Sequence, residues 1–232
     1  MKTIMLSGAN RGIGLAIARQ LYQDGYQLSL GIRNPQQLPT VLQEMSKERV
    51  TIFQYEAKDM EAARQWTEHT LSQFNHIDGL INCAGVLRST SLENYNELVL
   101  DELWTINVKA VVRLVHSTLP YLKSSGQGRV INLVSLSGKR VKGRSFGYGM
   151  TKHALMALTH SIRHTGWKHG IRATAILPGW VNTDMVKEFA IMPVEQMTQP
   201  EEIAKITSLL LSLPNEASVA EIPINCVLED TI

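Results

Sequence analysis

The chain has 232 residues, 44% of them hydrophobic and 19% charged, with a formal net charge of +2 at pH 7. This length and balance suit one soluble globular domain with a continuous core, and a charge so near neutral argues against a nucleic-acid or membrane surface. No apolar run approaches the eighteen or so residues of a membrane span, and the two cysteines, Cys83 and Cys226, have no spacing that suggests a disulfide framework or a metal site.

The first residues, Met1 to Leu6, carry no signal-peptide pattern and read as a strand, so the expected location is cytoplasmic. Apolar runs of β composition then alternate with segments of helical period. Strands are predicted at Lys2–Ser7, Tyr26–Ile32, Val50–Tyr55, Asp78–Asn82, Arg129–Val134 and Arg172–Leu177. Helices are predicted at Ile13–Gln23, Pro35–Lys47, Met60–Phe74, Asn96–Leu122 and Tyr148–Lys168, with a shorter one near Glu201–Leu211. Runs such as Val130-Ile131-Asn132-Leu133-Val134 are almost continuously apolar, as in parallel strands covered on both faces. The alternation implies an α/β fold: a Rossmann-type doubly wound parallel sheet of about seven strands, helices on both faces, in a single domain over residues 1–232.

The first strand runs into Ser7-Gly8-Ala9-Asn10-Arg11-Gly12-Ile13-Gly14 and then an amphipathic helix. A dinucleotide pyrophosphate needs such a tight turn, a close backbone approach and a helix N-terminus. Three glycines alone could also form a strand–helix turn with no ligand. At the end of the second strand, roughly twenty residues on, an NAD site places a carboxylate for the ribose hydroxyl. Here that place holds Arg33, and Arg11 lies in the turn, two guanidinium groups suited to a 2′-phosphate. NADP(H) is the expected cofactor.

Ser135 leaves the carboxyl end of a strand, and Tyr148 and Lys152 stand at i and i+4 on the helix that follows. A free phenol titrates near 10, and a neighbouring ammonium stabilises its phenolate, bringing proton exchange toward working pH. Ser135 is placed to hold a substrate oxygen. His160 and His164 share the same spacing, but no carboxylate lies between them and they are read as structural, so no metal is expected.

With these residues in order, the chain resembles a short-chain dehydrogenase/reductase over almost its whole length. The glycine turn matches that family's nucleotide motif, with Ser7 where threonine is usual. Asn82-Cys83-Ala84-Gly85 matches its Asn-Asn-Ala-Gly segment, and Pro178-Gly179-Trp180-Val181-Asn182-Thr183-Asp184 is similar to its nicotinamide segment. The resemblance implies Tyr148 as proton donor or acceptor, Lys152 on the nicotinamide ribose, Ser135 orienting the substrate and Asn107 holding a relay water. It places Gly8, Asn10, Arg11, Gly12, Ile13 and Gly14 at the pyrophosphate and Arg33 at the 2′-phosphate. Asn82, Ala84, Gly85, Pro178, Gly179, Val181 and Thr183 are expected along the rest of the cofactor, the last two at the carboxamide. Where the family contacts adenine the chain reads Glu56-Ala57-Lys58-Asp59, and Glu56, Ala57 and Asp59 all stay open as the contact.

The resemblance implies a homodimer or homotetramer built on the long helices, with no nucleic-acid or membrane partner. The usual glycine-rich C-terminal pattern is missing, which puts the common tetramer contact in doubt. The implied reaction is NADPH-dependent reduction of a small ketone or aldehyde, or oxidation of the alcohol. A 3-oxoacyl thioester reductase and a non-enzymatic NADPH-binding sensor are the alternatives. Lys139, Arg140, Lys142 and Arg144, with Arg88 near the same mouth, form a basic group that either receives an anionic substrate or is merely a solvated loop.

Overall fold

A computed structural model describes residues 1–141, 145–187, 189 and 192–228. Seven strands form one sheet: β1 (Thr3–Ser7), β2 (Gln27–Ile32), β3 (Val50–Gln54), β4 (Gly79–Asn82), β5 (Arg129–Leu133), β6 (Arg172–Pro178) and β7 (Glu221–Ile224). Their spatial order is β3-β2-β1-β4-β5-β6-β7, with every neighbouring pair parallel. The chain therefore starts in the middle, winds outward to β3, then returns to β1 and winds the other way. Reversal of winding between β1 and β4 opens a crevice at the carboxyl ends of those strands.

The helices are α1 (Gly12–Gln23), α2 (Thr40–Gln43), α3 (Ala62–Phe74), α4 (Glu97–Trp104), α5 (Ala110–Ser125), α6 (Phe146–Gly166) and α7 (Pro200–Ser212). They bury the sheet from both sides, so all five residues of β1 and all five of β5 are buried. One core forms around α1, α7 and strands β1 and β2, with Ile17, Leu21, Leu28 and Leu30 at its centre. The other forms around α3, α5 and α6, with Trp66, Leu114, Leu122 and Leu155. Trp66 is fully buried and donates its indole hydrogen to Ser29 Oγ at 2.9 Å, so its polar edge is satisfied inside the apolar layer. Among the described residues, no helix is long and apolar enough to cross a membrane.

Two predicted helices differ, and one strand lies where no range was predicted. The helix expected at Pro35–Lys47 is a 3₁₀ turn at Pro35–Gln37 followed by the four-residue α2. Pro39 lacks an amide hydrogen and holds Leu38 in extended backbone (φ −75°, ψ 135°), which ends the first turn. The single helix predicted for Asn96–Leu122 is interrupted by a π turn at Thr105–Lys109 between α4 and α5. Asn96 is not in it but caps it, its Oδ1 accepting from the amide of Val99 at 3.2 Å. The last strand, β7, had no named range in the sequence because Glu221 and Pro223 break its apolar run; Pro is tolerated there because β7 is an edge.

Candidate active site

The glycine turn lies where β1 passes into α1. Gly8 has φ +74°, and a Cβ there would sit 2.9 Å from Ala84 Cα. A Cβ on Gly14 would fall 2.1 Å from the carbonyl oxygen of Gly8, so any larger residue would force the turn open. Ser7 Oγ accepts hydrogen bonds from the amides of Cys83 (3.1 Å) and Ala84 (3.2 Å), clamping the ends of β1 and β4 together. Arg11, extended at φ −161°, precedes α1 without a side-chain cap, and the first turn holds no acidic residue. The first amides of α1 are thus open to an anion. Arg11 and Arg33 are both exposed at this end, and among the described residues Arg33 has no partner.

The opposite wall comes from β5, the turn after it and α6. A buried ladder holds α6 in place. Asn82 Nδ2 donates to Asn132 Oδ1 at 2.8 Å, Asn132 Nδ2 to Thr159 Oγ1 at 2.7 Å, and Thr159 to the carbonyl of Leu155 at 2.8 Å. The amide donors of Asn82 therefore serve the sheet, while its Oδ1 is buried without a partner. Lys152 is 6% exposed, donates to the carbonyl of Leu133 at 2.9 Å and lies 5.4 Å from the centre of the Tyr148 ring. Burial lowers its pKa to about 8, with the Cys83 thiol acting in the opposite sense. Burial pushes the Tyr148 phenol up to about 12, while a hydrogen bond with Ser135 pulls it down. Ser135 Oγ also accepts from the amide of Ser137 at 3.1 Å, which fixes its rotamer. A neutral phenol beside a buried ammonium is ready to give a proton to a carbonyl oxygen.

Between these walls lies an open cleft of about 100 Å³. It brings together Ile13, Gly85, Ser135, Tyr148, Lys152, Pro178, Gly179, Val181 and Thr183, all expected from the sequence. Gly12 packs directly against Thr183, since a Cβ there would sit 3.1 Å from Thr183 Cγ2. Cys83, Val86, Leu133, Val134, Met185 and Val186 also line it and were not expected. Cys83 and Val86 flank the Ala84-Gly85 pair, so their nearness to that motif was the available signal. The rest are apolar strand-end or loop residues with none.

Several expected residues lie outside this cleft. Glu56 Oε1 accepts from the amide of Lys58 at 3.1 Å, Asp59 Oδ1 from the amide of Glu61 at 2.9 Å, and the Ala57 carbonyl from Arg113 Nη2 at 2.7 Å. Asp59 is thus occupied in the turn that leads into α3. Asn107 sits in the π turn with its side chain fully committed: Oδ1 accepts from the Val86 amide and Nδ2 donates to the Val86 carbonyl, each at 2.9 Å, and Nδ2 also reaches Thr151 Oγ1 at 3.3 Å. A relay water at Asn107 would therefore have to use its backbone. Of the basic group, Lys139 is ion-paired with Glu221, which also holds His160, and Arg88 Nε is paired with Glu102 at 2.9 Å. Arg140 is engaged as well, and Lys142 and Arg144 lie outside the described residues.

Residues 2–193 match the family model described as short chain dehydrogenase. An agropine synthesis reductase of Rhizobium rhizogenes is 38% identical over 97% of this chain, although the chain spans only 53% of that protein's length. An uncharacterized oxidoreductase of Staphylococcus haemolyticus is 29% identical, with 97% of both chains covered. Among solved structures, an alcohol dehydrogenase from the archaeon Thermococcus sibiricus, complexed with 5-hydroxy-NADP, superposes with a TM-score of 0.89 at 30% identity, covering 98% of this chain and 97% of that one.

Proposed function

The chain belongs to the short-chain dehydrogenase family, and from that premise we propose that it is an NADP(H)-dependent oxidoreductase that reduces a small ketone or aldehyde, or oxidises the matching alcohol. The observation that carries this reading is the convergence of Ser135, Tyr148 and Lys152 on one wall of the cleft whose other wall is the glycine turn and residues Pro178 to Thr183. The bound cofactor supplies the hydride. Ser135 holds the substrate oxygen, and Tyr148 donates its phenolic proton as charge develops there. Lys152, largely an ammonium below about pH 8, stabilises the resulting phenolate and would hold the cofactor ribose. The open amides of α1 would hold the pyrophosphate.

The preference for NADP(H) rests on Arg33 and Arg11 and on the missing carboxylate after β2; the similarity to a structure complexed with 5-hydroxy-NADP supports it. Arg33→Ala is expected to raise the NADPH Kd about tenfold, the loss of one charge-assisted contact, and to leave the NADH Kd within twofold. Fluorescence titration with both cofactors measures this.

For the substrate, the described cleft residues support an uncharged carbonyl over an anionic one. Val86, Met185 and Val186 are apolar, and both Lys139 and Arg88 are already neutralised by carboxylates. NADPH oxidation across matched pairs of neutral ketones and keto acids, with quinones and 3-oxoacyl thioesters alongside, tests the class. Turnover of keto acids in preference to their esters would reverse the assignment, and tight NADPH binding with no turnover on any carbonyl would favour the sensor. A second reading, a reduction step in agropine synthesis, is favoured by the 38% identity to the Rhizobium rhizogenes enzyme. Replacing the matching half of that enzyme with this chain and assaying agropine formation tests it. Val112 and Tyr121 on α5 and Met150 on α6 stay exposed, which supports assembly as a homodimer or homotetramer through these helices. Light scattering measures the mass.

A further inference from the structure

The carboxylate of Glu102 joins two loops, the one that leaves β3 and the one that leaves β4 along the cleft. Glu102 lies on α4, its side chain 25% exposed, with Oε1 3.1 Å from Lys58 Nζ and Oε2 2.9 Å from Arg88 Nε. Lys58 belongs to the loop that leaves the carboxyl end of β3, the side at which the resemblance places adenine. Arg88 belongs to the loop that leaves β4 through Gly85 and Val86, two residues that line the cleft. Both ion pairs lower the Glu102 pKa, so the bridge is charged throughout the working pH range.

The neighbouring contacts show why this carboxylate holds a particular place. Further along the same helical run, Asn107 grips the Val86 backbone and Arg113 grips the Ala57 carbonyl. Each of those side chains holds one loop. Glu102 alone among the described residues of α4 and α5 forms ion pairs to both loops. When one loop is ordered by a ligand, the shared carboxylate is fixed, and the other loop loses less freedom when its own ligand arrives.

We propose that Glu102 is a positioning residue that couples seating of the adenosine end of the cofactor to the geometry of the substrate-side loop. The proposal rests on the NADP(H) reading above. It makes a specific demand: removing Arg88, on the substrate side, must weaken NADPH binding, and must do so only through Glu102. Exposed ion pairs are worth about 0.2–1 kcal/mol, so each effect is a change of about 1.4- to 5-fold.

The experiment is an NADPH fluorescence titration of wild type, Lys58→Met, Arg88→Met, Glu102→Gln, Glu102→Asp and the double variant Arg88→Met/Glu102→Gln. Lys58→Met, Arg88→Met and Glu102→Gln are each expected to raise the Kd about two- to threefold. Glu102→Asp is expected to recover part of that loss. Arg88→Met is expected to have no further effect in the Glu102→Gln background. An unchanged Kd for Arg88→Met, or additive losses in the double variant, would overturn the coupling. Failure of the wild type to bind NADPH at all would instead overturn the cofactor reading on which the coupling rests.

Discussion

At the residue scale, the site depends on placing a lysine where it is poorly solvated. Lys152 is buried, and its pKa falls from the ordinary 10.5 to about 8. The ammonium form is therefore disfavoured in the folded state, and the cost is fully present below about pH 8. Between about pH 8 and 10.5 the unfolded chain binds more protons than the folded one, so stability rises with pH across that window. Carbonyl reduction should move the other way, falling as pH rises through about 8 and Lys152 loses its charge. A pH–rate profile of kcat beside a pH series of Tm would show the two trends opposed. Lys152→Met should remove the buried charge, raising Tm by a few degrees at pH 7 while turnover falls at least a hundredfold. A lower Tm would mean that the hydrogen bond to the Leu133 carbonyl outweighs the desolvation cost. The Tyr148–Lys152 pair was legible in the sequence because i, i+4 spacing fixes a shared helix face. The ion pairs of Arg88 and Lys139 were not, since their carboxylates come from other elements and no local pattern announces them.

At the element scale, the π turn at Thr105–Lys109 interrupts the helical run where Asn107 engages a neighbouring loop. Periodicity predicted an unbroken helix because the apolar face continues through the turn. What the pattern could not carry is that Asn107 reaches across to pair with both polar groups of Val86, which line up as a strand edge would. Asn107→Leu keeps the size but loses both bonds and leaves the Val86 amide and carbonyl unsatisfied, costing about 1–3 kcal/mol. Thermal unfolding should show a Tm lower by several degrees, and the substrate KM should rise because Val86 lines the cleft. An unchanged Tm would mean that water replaces the side chain. The break before α2 was legible in Pro39 itself, but the sustained polarity of the segment hid it.

At the scale of the whole molecule, the sheet order gathers the cleft residues, from strand ends, the following loops, α1 and α6, at the carboxyl edge of the sheet around the reversal of winding between β1 and β4. That architecture was legible from the β–α alternation alone, and the motifs located most of the cleft. Its apolar substrate end was not legible, because Met185 and Val186 belong to a loop with no pattern of its own. A cofactor that spans both halves of the sheet binds only the folded chain, so it should stabilise it by about 2.7 kcal/mol at a hundred times its Kd. NADPH should therefore raise Tm by about 5–10 °C and NADH at equal concentration by less; equal shifts would remove the NADP preference. The most direct test of the account is a comparison of wild type and Tyr148→Phe, with NADPH Kd and carbonyl turnover measured on the same samples. Phenylalanine keeps the ring and removes the hydroxyl that carries the proton, so the account predicts a Kd within about threefold and turnover reduced by about 10²–10⁴. Turnover within tenfold of wild type, with NADPH still bound, would contradict it.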